Sequence, residues 1–196
     1  MIKIYYCNSF SLEIPEELSN QRKEKILLSK QPKDKLAQIN SAKILKSGFN
    51  DLGINEKDVI YAEGTNGKPY ARDYNKVHFS LSHTNNFSIV AFCENEIGID
   101  CENNQRTISP EITARYFTDS ENAAFASSPL TLWVAKEAYV KYTGKGFASG
   151  RNGLSLPYFE DELMLDGVWF KKLTIEDHTV IICAGKHDDV QITKVL

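Results

Sequence analysis

Short runs of period two alternating with stretches of helical spacing, a mixture met in each half of the chain, constrain this fold more than any single motif. Met1 to Cys7 reads as a strand, with Ile2, Ile4 and Tyr6 alternating against Lys3 and Tyr5. Helices follow from Glu16 to Ser29 and from Lys33 to Gly48, interrupted at Pro32, with Gly48 as the expected stop. His78 to Ser82 and Ser88 to Phe92 read as strands joined at the turn-forming Asn85-Asn86. In the second half, a strand from Ile97 to Glu102 precedes helices from Thr113 to Ala126 and from Pro129 to Thr143. Gly144-Lys145-Gly146 closes the second helix, and strands return at Gly167 to Ile175 and Thr179 to Ala184. This is an α+β chain, and on domain size it fits two similar lobes of roughly 100 residues, divided as 1–95 and 96–196. No repeat of fixed period links them.

The 196 residues are 42% hydrophobic and 25% charged with a formal net charge of -3. That excludes a disordered or fibrous chain and argues against a surface built wholly for nucleic acid. No apolar run approaches the roughly 20 residues of a membrane helix, and MIKIYYCNSF lacks a basic segment followed by a continuous apolar stretch. The expectation is a cytoplasmic protein with neither membrane nor nucleic acid as partner. Cys7, Cys93, Cys101 and Cys183 contain no CxxC pair and read as reduced, buried small hydrophobes.

In Ile97-Gly98-Ile99-Asp100-Cys101-Glu102, strand alternation puts Gly98, Asp100 and Glu102 on one face. Side chains two apart lie about 7 Å apart at their bases, so the two acids can converge on one ion and repel each other without it. Taken alone, the pair fits two solvated acids at a strand end. In Leu132 to Lys141, helix geometry stacks Trp133, Glu137 and Lys141 at steps of four. Taken alone, that fits a surface ion pair beside a core tryptophan. Asp100, Glu102 and Glu137 together offer hard oxygen ligands with no clustered thiol or imidazole, which suits Mg²⁺ shared with substrate phosphate oxygens.

Four stretches, in this order, carry a resemblance: Gly67-Lys68-Pro69; Phe79-Ser80-Leu81-Ser82-His83-Thr84; Gly98-Ile99-Asp100-Cys101-Glu102; and Trp133-Val134-Ala135-Lys136-Glu137 with Lys141, Gly144, Lys145 and Gly146. In order and approximate spacing the chain resembles the surfactin-type 4′-phosphopantetheinyl transferases along nearly its whole length. The resemblance implies two similar lobes related by a pseudo-twofold, with the active site at their interface. It implies a first lobe (1–95) that binds coenzyme A and a second (96–196) that carries metal ligands and catalysis. It implies Mg²⁺-dependent transfer of phosphopantetheine from coenzyme A to a serine of an apo acyl or peptidyl carrier protein, releasing adenosine 3′,5′-bisphosphate. The length matches the two-lobe form with one internal site, hence a monomer.

Carried over by position, Asp100, Glu102 and Glu137 resemble the metal ligands. Lys68 and Pro69 resemble coenzyme A contacts, Ser82 and His83 the contacts to the adenosine 3′-phosphate, and Lys141 the amine beside the pyrophosphate. Lys136 falls in the same helix signature as a less suited contact. Arg22 and Lys25 align with basic residues that help bind the nucleotide phosphate, and a solvated charged helix fits them as well. The resemblance gives Glu121 as the base for the carrier serine, with a metal-bound water as alternative; locally it is also a helix N-terminal acid capped by Asp119 or Ser120. Where the family often has a basic residue, this chain has Ala37. Two rivals stand beside this reading: a Mg²⁺-dependent nuclease or nucleotidyl transferase, which leaves GKP, SLSH and the lysines unexplained, and a carrier-binding module without turnover.

Overall fold

A computed structural model describes residues 1–146 and 154–196. In order, the elements are β1 (Ile2–Cys7), α1 (Asn20–Leu28), α2 (Pro32–Asp51), a 3-10 turn (Glu56–Asp58), β2 (Tyr61–Glu63), β3 (Pro69–Ala71), β4 (His78–Thr84), β5 (Phe87–Cys93) and β6 (Ile97–Asn103). Then come α3 (Pro110–Tyr116), α4 (Asp119–Ala124), α5 (Pro129–Thr143), β7 (Glu162–Leu165), β8 (Val168–Ile175), β9 (His178–Ala184) and β10 (Val190–Lys194). No helix among the described residues is long and apolar enough to cross a membrane.

The mixed α+β architecture has two lobes of matching topology. One sheet has the order β10-β1-β5-β4 and the other β6-β9-β8-β7. Within each, a first strand (β1 or β6) pairs antiparallel with the second strand of a hairpin (β4–β5 or β8–β9). A helix lies between them in sequence, α2 in one lobe and α5 in the other. The lobes meet through apolar faces, Ile2, Ile4, Ile89 and Ala91 packing with Ile97, Ile99, Val180 and Ile182. The opposite faces receive α2 through Ile44, Leu45 and Phe49, and α5 through Leu132, Val134 and Ala138. The layers therefore run helix, sheet, sheet, helix. Strand alternation makes this buildable, since β5 sends Ile89 and Ala91 to one core and Val90 and Phe92 to the other.

Phe87 and His178 hold equivalent positions in the two hairpins, each opening the second strand, opposite Thr84 of β4 and opposite Ile175 of β8. Their rings stack on each other at 4.0 Å, as residues near an approximate twofold do. Near the C-terminal end of the chain, β10 runs parallel to β1 and joins the sheet of β1, β5 and β4.

Several boundaries differ from the pattern in the sequence. The first helix starts only at Asn20, because Ser19 caps it by accepting from the backbone N–H of Arg22. Gly48 does not end α2, which runs on to Asp51. A Cβ at Gly48 would lie 2.1 Å from a carbon of the Phe92 ring, so this glycine serves close packing of helix on sheet. The expected helix over 113–126 is two helices, broken where Phe117 turns extended and Thr118 begins a capping box. All four cysteines are free; Cys7, Cys101 and Cys183 are buried and Cys93 is half-buried.

Candidate active site

Alternation in β6 places Ile97, Ile99 and Cys101 in the core between the sheets. Gly98, Asp100 and Glu102 therefore face the other way, toward α5. Gly98 permits this contact: a Cβ there would lie 2.1 Å from the Ala138 carbonyl oxygen and 2.4 Å from the Tyr142 nitrogen. With the helix seated on the strand, Lys141 reaches across, its Nζ 2.6 Å from Asp100 Oδ1. The pair is mostly shielded from water, which strengthens it relative to an exposed one.

β4 supplies a third wall through hydroxyls at alternate positions. The N–H of Ile99 donates to Ser80 Oγ at 3.1 Å, Ser82 Oγ donates to Asp100 Oδ1 at 2.6 Å, and Thr84 Oγ1 donates to Glu102 Oε2 at 3.2 Å. β4 and β6 thus run side by side, bridged by side chains. The resulting cleft of about 440 Å³ brings together Ser82, His83, Asp100, Glu102, Trp133, Glu137 and Lys141. All three carboxylates singled out in the sequence line it.

Their charge balance is uneven. Lys141 covers Asp100 and Arg106 covers Glu102. For Glu137, burial followed by the nearby charge of Asp100 outweighs Lys141 and Arg106 and pushes its carboxyl up to about 7. The donor chemistry fits a hard divalent cation: three carboxylates, one of them a half-buried acid raised by desolvation and then by its neighbour, and no thiolate, since burial pushes the Cys101 thiol up to about 12. Among the described residues no three His, Cys, Asp or Glu side chains already stand grouped around a metal position; Lys141 and Arg106 hold two of the carboxylates. Burial and the charge of Lys141 lower the His83 pKa, so its ring is neutral at pH 7.

The cleft continues along the end of α5. A passage of about 200 Å³ shares Leu81 and Lys141 with it and leads past Lys68, Pro69 and Gly144. A further pocket of about 490 Å³ lies between the Lys68-Pro69 loop, Tyr70, His78 and Thr143. Lys68 and Pro69 therefore line one groove with the carboxylates. Lys25 is exposed and its charge is felt at His83, as is that of Asp34.

Arg22, Glu121 and Lys136 stand elsewhere. Arg22 is 5% exposed. Its guanidinium sits 4.6 Å over the Tyr61 ring. It braces the first lobe rather than facing the cleft. Ala37 is buried, and its carbonyl accepts from Ser88 Oγ.

Glu121 is not among the residues that line the cleft, and both of its carboxylate oxygens have partners elsewhere. Oε2 accepts from the N–H and hydroxyl of Thr118, and Oε1 accepts from the N–H of Leu156 and pairs with Lys136 Nζ at 2.8 Å. Lys136 also donates to the Leu154 carbonyl at 2.6 Å. The helix-start alternative holds, with Thr118 as the cap rather than Asp119 or Ser120.

Ser80, Thr84 and Arg106 were not singled out in the sequence. The period-two run Ser80, Ser82, Thr84 carried a readable signal, three hydroxyls on one strand face. Arg106 carried none, because its approach to Glu102 depends on the turn after β6.

Comparison with known proteins gives a family and several relatives. The 4′-phosphopantetheinyl transferase superfamily matches residues 96–193. The 4′-phosphopantetheinyl transferase psf-1 of Bacillus pumilus is 32% identical over 113 residues, covering 54% of this chain and 48% of the relative. The 4′-phosphopantetheinyl transferase ffp of Bacillus subtilis is 30% identical over 116 residues, 55% of this chain and 51% of the relative. The 4′-phosphopantetheinyl transferase Sfp of Bacillus subtilis (strain 168) is 29% identical over 116 residues, with the same coverage. The chain spans about half the length of the curated relatives it matches.

Proposed function

Since the chain belongs to the 4′-phosphopantetheinyl transferase superfamily, we propose that it transfers the 4′-phosphopantetheine group from coenzyme A to a serine hydroxyl of an apo acyl or peptidyl carrier protein, with adenosine 3′,5′-bisphosphate leaving. The observation that carries this reading is the convergence of Asp100, Glu102, Glu137 and Lys141 in one cleft that continues to Lys68 and Pro69.

Asp100, Glu102 and Glu137 would hold Mg²⁺, which when bound supplies neutralisation of diphosphate charge and polarisation of the phosphoryl group. Lys141 adds a second positive charge beside Asp100, suited to the oxygens that gain charge as the nucleotide departs. Ser82 and the neutral ring of His83 each offer one donor to a phosphate oxygen. Lys25, felt at His83, is suited to steer a phosphate to that end. The Lys68-Pro69 wall would flank the nucleotide half of coenzyme A. Glu121 is held by Thr118, Leu156 and Lys136, so the proton of the attacking serine passes to a cleft carboxylate, for which Glu137, raised to about 7, is suited.

One site built between two lobes of one chain fits a monomer, and the reading places the protein in the cytoplasm with its substrates. The test is mass spectrometry of apo carrier proteins incubated with coenzyme A and Mg²⁺. The expected result is the mass of phosphopantetheine gained on one serine, abolished by chelation. Binding to the carrier without any mass gain across a panel would replace this reading with a carrier-binding module.

A further inference from the structure

Lys68 has more to do than meet a ligand. Its Nζ lies 2.8 Å from Glu96 Oε2, 3.0 Å from the Ile97 carbonyl and 3.5 Å from the Tyr142 carbonyl. The other oxygen of Glu96 lies 3.0 Å from His78 Nδ1. One ammonium thus joins the 64–69 loop of the first lobe, the segment entering β6 and the last turn of α5. Asn66 adds a second tie from the same loop, its Nδ2 donating to the Gly144 carbonyl at 2.8 Å.

The last carbonyls of a helix lack partners within it and favour a positive charge. Here Lys68 and Asn66 supply that cap from the opposite lobe. The last turn needs it, because core packing anchors α5 at Leu132, Val134, Ala135 and Ala138, all buried, whereas residues 139–143 are only half-buried. Lys141 stands in this less anchored turn, while Glu137 neighbours the core residue Ala138.

We infer that Glu96 is a positioning residue: held by His78, it keeps Lys68 on the C-terminal turn of α5 and thereby fixes Lys141 and the groove wall formed by Lys68 and Pro69. Its consequence for substrate rests on the proposed reading of that groove as the coenzyme A site. The latch acts directly on the groove and on the end of α5, and reaches the carboxylates on β6 only through Lys141, which pairs with Asp100. A ligand that spans groove and cleft feels it fully, a metal ion in the cleft only through the Lys141–Asp100 pair.

The variant is Glu96→Gln, which keeps the size and removes the charge. Hydrogen exchange of the amides at 142–146 should quicken by about tenfold, with β6 and the first turns of α5 unchanged. Coenzyme A binding measured by calorimetry with Mg²⁺ present should weaken by about fivefold, while Mn²⁺ alone binds within about twofold of wild type. Lys68→Met should give both effects, and the double variant should be no worse than Lys68→Met, since the two act as a unit. Unchanged exchange at 142–146, or additive losses in the double variant, overturns the inference. So does faster exchange throughout β6 and α5, which makes Glu96 a general stabiliser. If wild type binds no coenzyme A the functional reading falls, and the exchange pattern still decides the latch.

Discussion

The two lobes share a topology and use it differently. The register makes Tyr5 of β1 the counterpart of Asp100 in β6: Tyr5 pairs with Val90 in its lobe as Asp100 pairs with Ile181 in the other. By the same register Cys7 answers to Glu102. In the first lobe these positions meet α2 inside an aromatic cluster of Phe49, Phe79 and Phe92, and the two polar ends are quenched locally, Tyr5 Oη on Asp51 and Cys7 Sγ on Asn40. In the second lobe they are carboxylates facing Glu137 and Lys141. One strand-on-helix joint has become core, its counterpart a charged cleft.

The edges of the two strands explain which joint stays open. The edge of β1 is taken by β10 in a backbone ladder running from Ile2–Val190 to Tyr6–Lys194. The corresponding edge of β6 meets β4 through the hydroxyls of Ser80, Ser82 and Thr84. Backbone pairing closes a seam, whereas side-chain bridging leaves room and polar groups beside it.

The largest expected effect tests whether the charged joint is the working one. Glu137→Gln should lower carrier modification by about a hundredfold or more, because a lost metal ligand removes charge stabilisation at the reacting phosphate. The melting temperature should stay near wild type or rise, since the variant relieves desolvation of the charged carboxylate and repulsion from Asp100 in a half-buried group. Near-normal turnover of the folded variant would refute the role given to the cleft.

Glu121→Gln should do the reverse. Removing one partner of a buried ion pair that also caps α4 and holds Leu156 should cost about 3 to 5 kcal/mol of stability. Turnover per folded molecule should stay within about threefold of wild type. A loss of kcat by orders of magnitude in the folded fraction would restore Glu121 as the base.

Gly98→Ala and Gly48→Ala form a matched pair across the lobes. Each puts a methyl group into a helix–sheet contact and should cost about 1 to 3 kcal/mol. At Gly98 the obstacle is the backbone of α5, so the helix bearing Glu137 and Lys141 must lift, and turnover should fall along with stability. At Gly48 the obstacle is the Phe92 ring, far from the carboxylates, and turnover should hold. Equal loss of activity in both would mean that the lobes are not separable in function.

What the sequence made legible follows how local each cause is. α5 runs from Pro129 to Thr143 as read, because Pro at its first position and Gly144 at φ 64 are local signals. The pairing of Asp100 with Glu102 on one face needed only period two. The break between α3 and α4 was hidden because apolar spacing continues through Phe117, which is buried although no longer helical. The setting of Glu121 was hidden because its partners Lys136 and Leu156 are 15 and 35 positions away. β10 was invisible for the same reason, its ladder among the described residues being with the other end of the chain.

The smallest effect probes the quiet joint at the position that answers to Asp100. Tyr5→Phe removes the hydroxyl that donates to Asp51 at 2.6 Å and leaves the ring in its contact with Phe92. The bond is only part-buried, and Asp51 at the helix end can turn to water, so the cost should be about 1 kcal/mol of stability in a denaturant titration. Burial together with the Asp51 carboxylate holds this phenol well above its ordinary pKa, so it is a donor at any working pH and its loss changes no charge. Carrier modification should be unaffected, whereas Asp100→Asn at the equivalent place should lose it. If Tyr5→Phe lowered turnover as Asp100→Asn does, the first lobe's joint would belong to the active machinery and the contrast between the lobes would be wrong.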